Sequence, residues 1–369
     1  MRIEVIIYVY GVICLCMIAF NLIYNIVLQR SEPHLERQSR KIRKEMDAQL
    51  KRIRKGQAVE EKHLEYLRHT LSRVNNLIAF DRVLKAMLKE KHGEVRIKYL
   101  AQIQPVIVYL ARLYQKRENM QAAYYSYFLS QYTVEKQVDS DSVQDVLLEY
   151  MKKDSLYCRV NALQALYTFG NAEHILTALK AQDDGKVFLH EKILTEGLLS
   201  FTGDHHELIG RLWEVLDSFS EHTQLGILNY IRLKSGDYTK QMFALMEDET
   251  KGKELRLSAI RYFGKYYYEP ALEPLVRFAS EKDPLRWEYT TVSISSLARY
   301  PGEKVIATLK EAIHSPNWYV RYSAATSLEA HHMDYTALID IVAGDDRYAR
   351  EMMLYRLETQ KLQKQKVGV

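Results

Sequence analysis

Apolar and polar residues alternate with a helical period through the second half of the chain, from residue 151 to residue 355. Three segments share one pattern, in which an Arg is followed by an Ala three residues later and by a large apolar residue four residues further on. On an α-helix these positions share one face, and the small Ala lets a neighbouring helix approach closely. The three segments start at Arg159, Arg256 and Arg321.

The same pattern returns at a nearly constant interval. Weaker versions start at Lys192, Gln224 and Tyr289, so that successive starting positions are 33, 32, 32, 33 and 32 residues apart. Such self-similarity is typical of stacked repeat proteins, and the interval accommodates two helices per repeat. The sequence therefore predicts an all-α fold, an α-solenoid of two-helix repeats.

The pattern resembles the HEAT family, and in particular the short bacterial HEAT-like repeats. The resemblance covers residues 151–355 and rests on an acidic, Asn- or Pro-containing turn, then the Arg, then a helix with small residues. The turns contain Asp154, Asp283-Pro284 and Pro316-Asn317, and Gly170 and Gly203 are expected to end helices. The sequence departs from the family pattern at Lys192, Gln224 and Tyr289, where Arg is missing.

The resemblance implies a HEAT-like scaffold or binding surface rather than a particular reaction, because one fold serves many functions. In HEAT-like repeats the Arg commonly bonds the turn of an adjacent repeat. The resemblance therefore implies that Arg159, Arg256 and Arg321 form a structural ladder that holds the repeats in register.

A different pattern opens the chain, where residues 5–28 include no charged residue. At a rise of about 1.5 Å per residue, this stretch is long enough to cross a hydrocarbon core of about 30 Å. It has neither the shorter apolar core nor the small-residue cleavage site of a signal peptide. The sequence therefore predicts a single transmembrane helix, in which Asn21 and Asn25 could bond a partner helix.

The charges on either side of this stretch predict its orientation. Residues 29–55 contain ten Lys or Arg against four acidic residues, whereas Arg2 is offset by Glu4 on the other side. The positive-inside rule then places the N-terminus outside the cell and the rest of the chain in the cytoplasm, on a single-pass anchor in the cell membrane.

The basic flank itself has two interpretations. It either stays solvated and only sets the topology, or it lies on anionic lipid head groups, to which each cation near the surface adds about 1 kcal/mol. Nucleic acid is not expected as a partner, because the flank has no aromatic residue on which bases could stack. The residues singled out in this flank are Arg40, Lys41, Arg43 and Lys44.

Helical patterns also fill the region between the flank and the clear repeats. Residues 62–90 predict one long helix with a short a/d seam, which is too short for a coiled coil and is expected to dock against the first repeat rather than to dimerise. Residues 94–134 predict two Tyr-rich helices that form a diverged first repeat or a cap. The seam consists of Leu64, Leu67, Leu71, Val74 and Ile78.

These patterns divide the chain into six segments. In order they are a short extracytoplasmic N-terminus (1–4), the transmembrane helix (5–28), a basic juxtamembrane segment (29–60), a helical cap or diverged first repeats (61–142), the HEAT-like solenoid (143–358) and a basic C-terminal tail (359–369).

Composition and motifs narrow the functional classes. Hydrophobic residues at 47% and charged residues at 27% are ordinary for a folded protein. The three cysteines form no CxxC pair and no disulfide framework, which fits a reducing compartment. No His-Glu-x-x-His, Gly-rich phosphate loop or Gly-x-Ser-x-Gly sequence occurs. We therefore expect no catalytic residues, no cofactor, no small-molecule substrate and no enzymatic activity.

One residue pair raises the alternative of a metal site. Deoxyhypusine hydroxylases, which have HEAT-like repeats, hold two irons with His-Glu pairs at helix starts, and His190-Glu191 occupies nearly that register. The equivalent positions in other repeats are Cys158-Arg159, Leu255-Arg256 and Val320-Arg321, which offer no such pair. A diiron site needs several converging ligands, so we predict no metal ligands from this single pair.

Aromatic and basic residues cluster toward the C-terminal end of the repeats and predict a protein-binding surface, because Tyr, Trp and Arg dominate interface hot spots. The alternative is that these rings pack between repeats. The candidates are Tyr267, Arg286, Trp287, Tyr289, Trp318, Tyr319 and Tyr322.

Together the patterns favour a membrane-anchored cytoplasmic scaffold or adaptor that docks a membrane-associated partner protein. Single-span HEAT-like proteins look like accessory subunits of bacterial membrane machines, so the resemblance implies a role in a glycosyltransferase or export assembly. Two alternatives stay open, a HEAT-repeat metalloenzyme with a site built across repeats and a structural protein that organises lipid.

Overall fold

The computed structural model describes residues 3–88, 93–132, 140–185 and 189–367, and these residues form helices joined by short turns, with no β-strand among them. The predicted all-α class is therefore confirmed for this part of the chain. The chain divides into two compact units, an N-terminal unit of Met1–Val187 and a C-terminal unit of Phe188–Val369.

The N-terminal unit contains one very long helix followed by shorter ones. Its helices are α1 (Ile3–Arg54), α2 (Glu61–Leu71), α3 (Val74–Leu88), α4 (Gly93–Gln102), α5 (Gln104–Gln115), α6 (Asn119–Gln131), α7 (Ser140–Met151), α8 (Leu156–Phe169) and α9 (Ala172–Asp183).

The described side chains in the first half of α1 are exposed. All side chains from residue 8 to residue 24 are exposed, on every side of the helix, although the stretch is strongly apolar. Asn21 is one of these exposed residues, whereas the side chain of Asn25 lies outside the described part of the structure. A search of the described residues finds no helix with the length and apolar character needed to cross a membrane.

The second half of α1 is part of the folded core. The segment that we expected to be a separate basic flank continues the same helix, and one face of it packs against α3 and α4. Because these buried residues follow a helical period of three and four, the cations between them point away from the core. The buried face consists of Ser39, Ile42, Met46, Gln49, Leu50 and Ile53.

Two of the predicted helix boundaries are wrong. The seam of residues 62–90 is broken into α2 and α3 at Ser72, whose hydroxyl bonds the carbonyl of His69 at 2.7 Å, while the Asn76 amide bonds the Thr70 carbonyl at 2.9 Å. The two helices expected over 94–134 are instead α4, α5 and α6, because α4 ends before Pro105, which lies in the first turn of α5. Proline is tolerated at such a helix start and not in a helix interior.

Buried tyrosines connect the helices of the N-terminal unit. The hydroxyl of Tyr114 bonds the Leu71 carbonyl at 2.8 Å, and that of Tyr150 bonds the Ala111 carbonyl at 2.6 Å. The ring of Tyr114 also stacks on that of Tyr125, with 4.9 Å between centroids. Each ring fills core volume while its hydroxyl satisfies a carbonyl of another helix, so the Tyr-rich composition has a packing role here.

The C-terminal unit consists mainly of helix pairs that follow the sequence repeat. Its helices are α10 (Glu191–Leu199), α11 (His205–Glu214), α12 (Glu221–Lys234), α13 (Thr239–Glu247), α14 (Lys253–Phe263), α15 (Leu272–Ala279), α16 (Trp287–Leu297), α17 (Glu303–Ala312), α18 (Trp318–Ala330), α19 (Ile339–Val342) and α20 (Arg347–Val367).

The repeated sequence pattern marks the first helix of each pair. The six starting positions lie in α8, α10, α12, α14, α16 and α18. Within the C-terminal unit each of these first helices packs against the next, from α10 through to α18, and α18 packs against α20. Gly170 ends α8 as expected, but the expectation for Gly203 is wrong, because α10 ends at Leu199.

Small hydroxyl residues connect neighbouring first helices. Ser296 donates to the Ile260 carbonyl at 3.0 Å, Ser327 donates to the Ile294 carbonyl at 2.9 Å, and both serines are buried. A large side chain at these positions would separate the helices. The small residues of the repeat therefore serve close helix approach, and the hydroxyls bond carbonyls across the contact.

Candidate interaction surface

Three aromatic residues at the starts of α16 and α18 are in direct contact. Trp287 is the first residue of α16, and its ring stacks on that of Tyr319 with a centroid distance of 5.2 Å and an interplanar angle of 26°. Trp318, the first residue of α18, meets Tyr319 edge-on at 5.3 Å. Because successive first helices lie side by side, residues that begin them one repeat apart become neighbours.

The row of rings continues along α18 and onto α20. Trp318 stacks on Tyr322 at 5.1 Å, and the guanidinium of Arg356 lies 5.7 Å from the centre of the Tyr322 ring. Arg321 lies 5.2 Å from the ring of Tyr348, which projects from the first turn of α20. We call the set of Trp287, Trp318, Tyr319, Tyr322 and Tyr348 the aromatic edge.

Most of the aromatic edge is open to solvent. The exposed fractions are 51% for Trp318, 56% for Tyr319 and 66% for Tyr348. The Asn317 side chain caps α18 by accepting from the Tyr319 amide at 2.9 Å, which fixes the helix start that carries these rings. The edge is therefore an exposed aromatic surface on an ordered backbone.

A groove of about 410 Å³ lies beside Trp287, between the turn before α16 and the turn before α18. Its wall includes Thr290, Ala312 and Val320, which make it largely apolar. Grooves with mostly apolar walls and a few polar groups are the usual form of a recognition site. The groove and the aromatic edge share Trp287.

Acidic residues outnumber cations around this groove. Glu281, Asp283 and Glu311 line it together with Lys282 and His314. Lys282 lies 3.3 Å from Glu311, and Glu281 lies 3.3 Å from Arg286. The hydrogen bond from His314, 2.8 Å long, lowers the pKa of the Asp346 carboxyl. Glu311 and Glu281 are thus already paired with cations, so the polar groups of the groove carry mixed charges with a small acidic excess.

Tyr289 is not part of this surface, which corrects the prediction. It is only 6% exposed, its ring stacks on Phe278 at 5.5 Å, and the guanidiniums of Arg256 and Arg286 each lie 5.3 Å from its centre. Tyr289 and its two arginines therefore stabilise the contact between repeats.

The repeated arginines bond a carbonyl in the turn that precedes their own helix or in the last turn of the helix before it. Arg256 donates from Nε to the Met246 carbonyl at 3.0 Å, and Arg321 donates from Nη1 to the Ser315 carbonyl at 2.7 Å. Arg350, which the repeat pattern did not single out, donates to the Gly344 carbonyl at 2.6 Å. These turns join one helix pair to the next, so the bonds tie neighbouring repeats together.

Arg159 differs from the other arginines of the predicted ladder. It is 4% exposed, and its Nε and Nη2 atoms have no hydrogen-bond partner among the described residues. Its Nη1 atom lies 2.6 Å from the position that a Cβ on Gly185 would take, so a larger residue at position 185 would displace the guanidinium. Arg256 and Arg321 thus bond backbone carbonyls before their own helices, whereas two of the three guanidinium nitrogens of Arg159 have no such partner among the described residues.

The remaining candidates lie elsewhere. Tyr267 is exposed and packs against Tyr300 at 5.0 Å. In the basic flank, Arg43 bonds Asp47 at 3.3 Å, Arg40 lies 3.5 Å from Glu36, and Lys41 and Lys44 are exposed. Tyr267 contacts no ring of the aromatic edge in the described part of the chain, and the four flank residues belong to the N-terminal unit.

The sequence patterns did not identify Tyr348, which belongs to the aromatic edge, or Arg356, whose guanidinium contacts the Tyr322 ring of that edge. Both lie on α20, which comes after the last clear repeat. The Asp345-Asp346 turn and the Arg at 350 repeat the turn-then-Arg pattern 29 residues after Arg321, and this signal could have identified α20 as a further first helix.

The His190-Glu191 pair has a structural role at a helix start. The His190 side chain caps α10 by accepting from the Lys192 amide at 3.1 Å. No group of three or more His, Cys, Asp or Glu side chains within the described ranges is arranged to hold a metal ion.

Comparison with known proteins gives no family assignment. No family model matches the sequence, and no curated protein matches it. Function is therefore inferred from the chain's own residues and their contacts.

Proposed function

We propose that this chain is a membrane-anchored helical-repeat scaffold of the HEAT-like type, which docks a partner protein on its aromatic edge. The observation that carries the proposal is the run of contacting rings formed by Trp287, Tyr319, Trp318 and Tyr322, most of them exposed, beside a groove at Trp287. The exposed ring of Tyr348 extends this surface next to Arg321. The partner is proposed to be a membrane-associated protein, such as a component of a glycosyltransferase or export assembly.

The first half of α1 supports the membrane anchor. A helix that is apolar on every side is either buried in protein or placed in lipid, and the side chains of residues 8–24 have solvent on all sides. The sequence stays uncharged from residue 5 to residue 28, and the excess of Lys and Arg after it favours a cytoplasmic location for the rest of the chain. Because α1 continues into the core, the anchor would hold the N-terminal unit close to the inner face of the membrane.

The aromatic edge supports docking of a protein. Large exposed rings lose much water-accessible surface on binding, and Tyr and Trp bury it at a low cost in side-chain entropy. Clustered exposed apolar surface marks interaction sites more often than scattered residues do. The small excess of carboxylates over cations at the groove favours a partner segment that carries Lys or Arg.

Cross-linking in native membranes tests the proposal. The full-length protein and a Trp318→Ala/Tyr319→Ala variant are cross-linked mildly, solubilised and captured, and the recovered chains are compared. Tyr157→Ala is the matched control, since Tyr157 is an exposed ring on α8 in the N-terminal unit. We expect one membrane protein to be recovered with the wild type and the control and to be lost with the double variant.

Two results would contradict the proposal. Equal recovery with all three proteins would place recognition away from the aromatic edge, and recovery of no protein would remove the docking role. The anchor is tested separately by alkaline extraction of the same membranes, in which a membrane-spanning chain stays with the lipid and a peripheral chain is released.

A further inference from the structure

A second site of different character lies in the N-terminal unit, between α1, α3 and α4. It is a groove of about 260 Å³, and four cationic side chains line it, Arg43, Lys51 and Arg54 from α1 and Arg96 from α4. Asp47 is the carboxylate among its described lining residues, and it already accepts from Arg43. The groove is independent of the aromatic edge.

Ordinary packing does not account for the other three cations, Lys51, Arg54 and Arg96. Lys51 and Arg54 are exposed on the groove and form no ion pair among the described residues. The Nε atom of Arg96 is buried and has no hydrogen-bond partner in the described part of the chain. A buried guanidinium N–H without an acceptor destabilises the fold, and an anion in the groove would supply the missing acceptor.

The repulsion between the cations also favours binding of an anion in the groove. Like charges that share a groove destabilise the fold, and an anion that binds between them removes this cost. Arg guanidiniums match phosphate oxygens with paired N–H bonds, and a Lys ammonium adds a compact charge. We infer that this groove binds a phosphate-bearing anion.

The number of cations in the groove indicates more than one phosphate. Lys51 and Arg54 are three residues apart on α1 and are therefore neighbours on one helix face, and Arg96 lines the same groove from α4. Three cations match the charge of a diphosphate more closely than that of a single phosphate. The ligand class is therefore a diphosphate or a polyphosphorylated head group.

Two sources can supply such a group, a soluble compound and a lipid head group. Along α1, Arg43 lies 15 residues after Leu28, or about 22 Å beyond the end of the apolar stretch. If that stretch spans a bilayer, the groove lies beyond the head groups of that bilayer. This distance favours the soluble source, and the experiment separates the two.

The test uses the full-length protein in nanodiscs of uncharged phosphatidylcholine, titrated with inorganic pyrophosphate in a calorimeter. We expect saturable binding by the wild type and about a tenfold or greater loss of affinity in Lys51→Gln/Arg54→Gln and in Arg96→Gln. The control is Lys41→Gln/Lys44→Gln, which removes the same charge from exposed positions of the same helix outside the groove, and its affinity should stay within about threefold of wild type.

The inference would be overturned if the wild type showed no saturable binding of pyrophosphate. It would also be overturned if both double variants lost the same affinity, because that result would indicate diffuse attraction to a basic helix. The circular dichroism spectrum of each variant shows whether it is folded. Repeating the titration in nanodiscs with a polyphosphorylated inositol lipid identifies the source. If the inositol lipid competes with pyrophosphate, the groove is a lipid head-group site. If the pyrophosphate affinity is unchanged by the lipid, the groove is a site for a soluble ligand.

Discussion

The hydroxyl of Tyr262 donates a hydrogen bond to the carbonyl of Ser235, 27 residues earlier in the chain, at 3.1 Å. The same hydroxyl accepts from the amide of Tyr238 at 3.1 Å. One side chain at the end of α14 thus satisfies both ends of the turn between α12 and α13. Tyr300 makes the corresponding pair of bonds with the carbonyl and amide of Tyr268, each at 3.3 Å.

We expect the hydroxyls of these two tyrosines to stabilise the C-terminal unit. The variant Tyr262→Phe tests this expectation. The change keeps the buried ring and leaves the Ser235 carbonyl and the Tyr238 amide without their partner, so we expect a loss of about 1–3 kcal/mol in the free energy of unfolding. Denaturant unfolding of the full-length protein in detergent measures it. Tyr267→Phe, at an exposed ring, should change the stability by less than about 0.5 kcal/mol.

Arg256 should be the most sensitive arginine of the repeats. It is buried, donates to the Met246 carbonyl, and its guanidinium lies against the stacked rings of Phe278 and Tyr289. Arg256→Lys keeps the charge but loses the planar group that stacks and the Nε donor, so we expect a loss of about 2–3 kcal/mol.

Arg277 provides the control for this change. It lies on the neighbouring helix α15 and is largely exposed, with a surface bond to Glu247 at 2.6 Å. Arg277→Lys should cost less than about 1 kcal/mol, because exposed ion pairs contribute little. Equal midpoints of chemical unfolding for the two variants would show that the contact between repeats does not depend on Arg256.

The positions of the first helices could be predicted from sequence, because each depends on a local period of apolar and small residues. The interval of 32 or 33 residues places all six starting positions inside α8 to α18. The helix breaks at Ser72 and before Pro105 could not be placed in this way, since they depend on local backbone bonds and proline geometry within continuous apolar patterns.

The candidate site was predicted in part, because residue type does not distinguish an exposed ring from a buried one. Trp287, Trp318, Tyr319 and Tyr322 meet in the aromatic edge, whereas Tyr289, which lies on the same helix as Trp287, is buried between two arginines. Burial depends on which helix packs above each residue. The buried face of α1 was missed for a related reason, since its apolar residues lie among ten cations.

Two glycines in helices should respond to the same substitution in opposite ways. A Cβ on Gly226 in α12 would lie 2.6 Å from Cδ2 and 3.2 Å from Cβ of Leu194, which is buried in α10. A Cβ on Gly210 in α11 meets nothing within 4 Å. Gly226→Ala should therefore cost about 1–3 kcal/mol by overpacking, and Gly210→Ala should gain up to about 1 kcal/mol from better helix propensity.

Thermal unfolding followed by the helical circular dichroism signal compares the two variants with wild type. The expected order of midpoints, from highest to lowest, is Gly210→Ala, then wild type, then Gly226→Ala. A midpoint for Gly226→Ala at or above that of wild type would mean that α10 and α12 separate without cost, contrary to the close approach that the Thr195 hydroxyl bond to the Gly226 carbonyl at 3.0 Å indicates.

The stability of the N-terminal unit should fall in mild acid because of His63. This residue is buried in α2, its Nε2 atom lies 2.9 Å from the Tyr99 hydroxyl, and burial lowers its pKa from 6.5 to about 4. Between these two values the unfolded chain binds a proton at His63 and the folded chain does not. The contribution of neutral His63 to stability is therefore fully present above pH 6.5 and is lost as the pH falls toward about 4.

From pH 7.5 to pH 5 the His63 contribution should decrease by about 2 kcal/mol, since each pH unit between the two pKa values changes the free energy of unfolding by at most about 1.4 kcal/mol. His63→Gln removes the titrating group. Between pH 7.5 and pH 5 the free energy of unfolding of this variant should therefore fall by about 2 kcal/mol less than that of wild type, whatever the stability of the variant at pH 7.5. His69→Gln, at an exposed position of the same helix, should keep the wild-type dependence on pH. Denaturant unfolding at the two pH values gives both differences, and parallel pH profiles for His63→Gln and wild type would show that His63 binds a proton equally well in the folded chain.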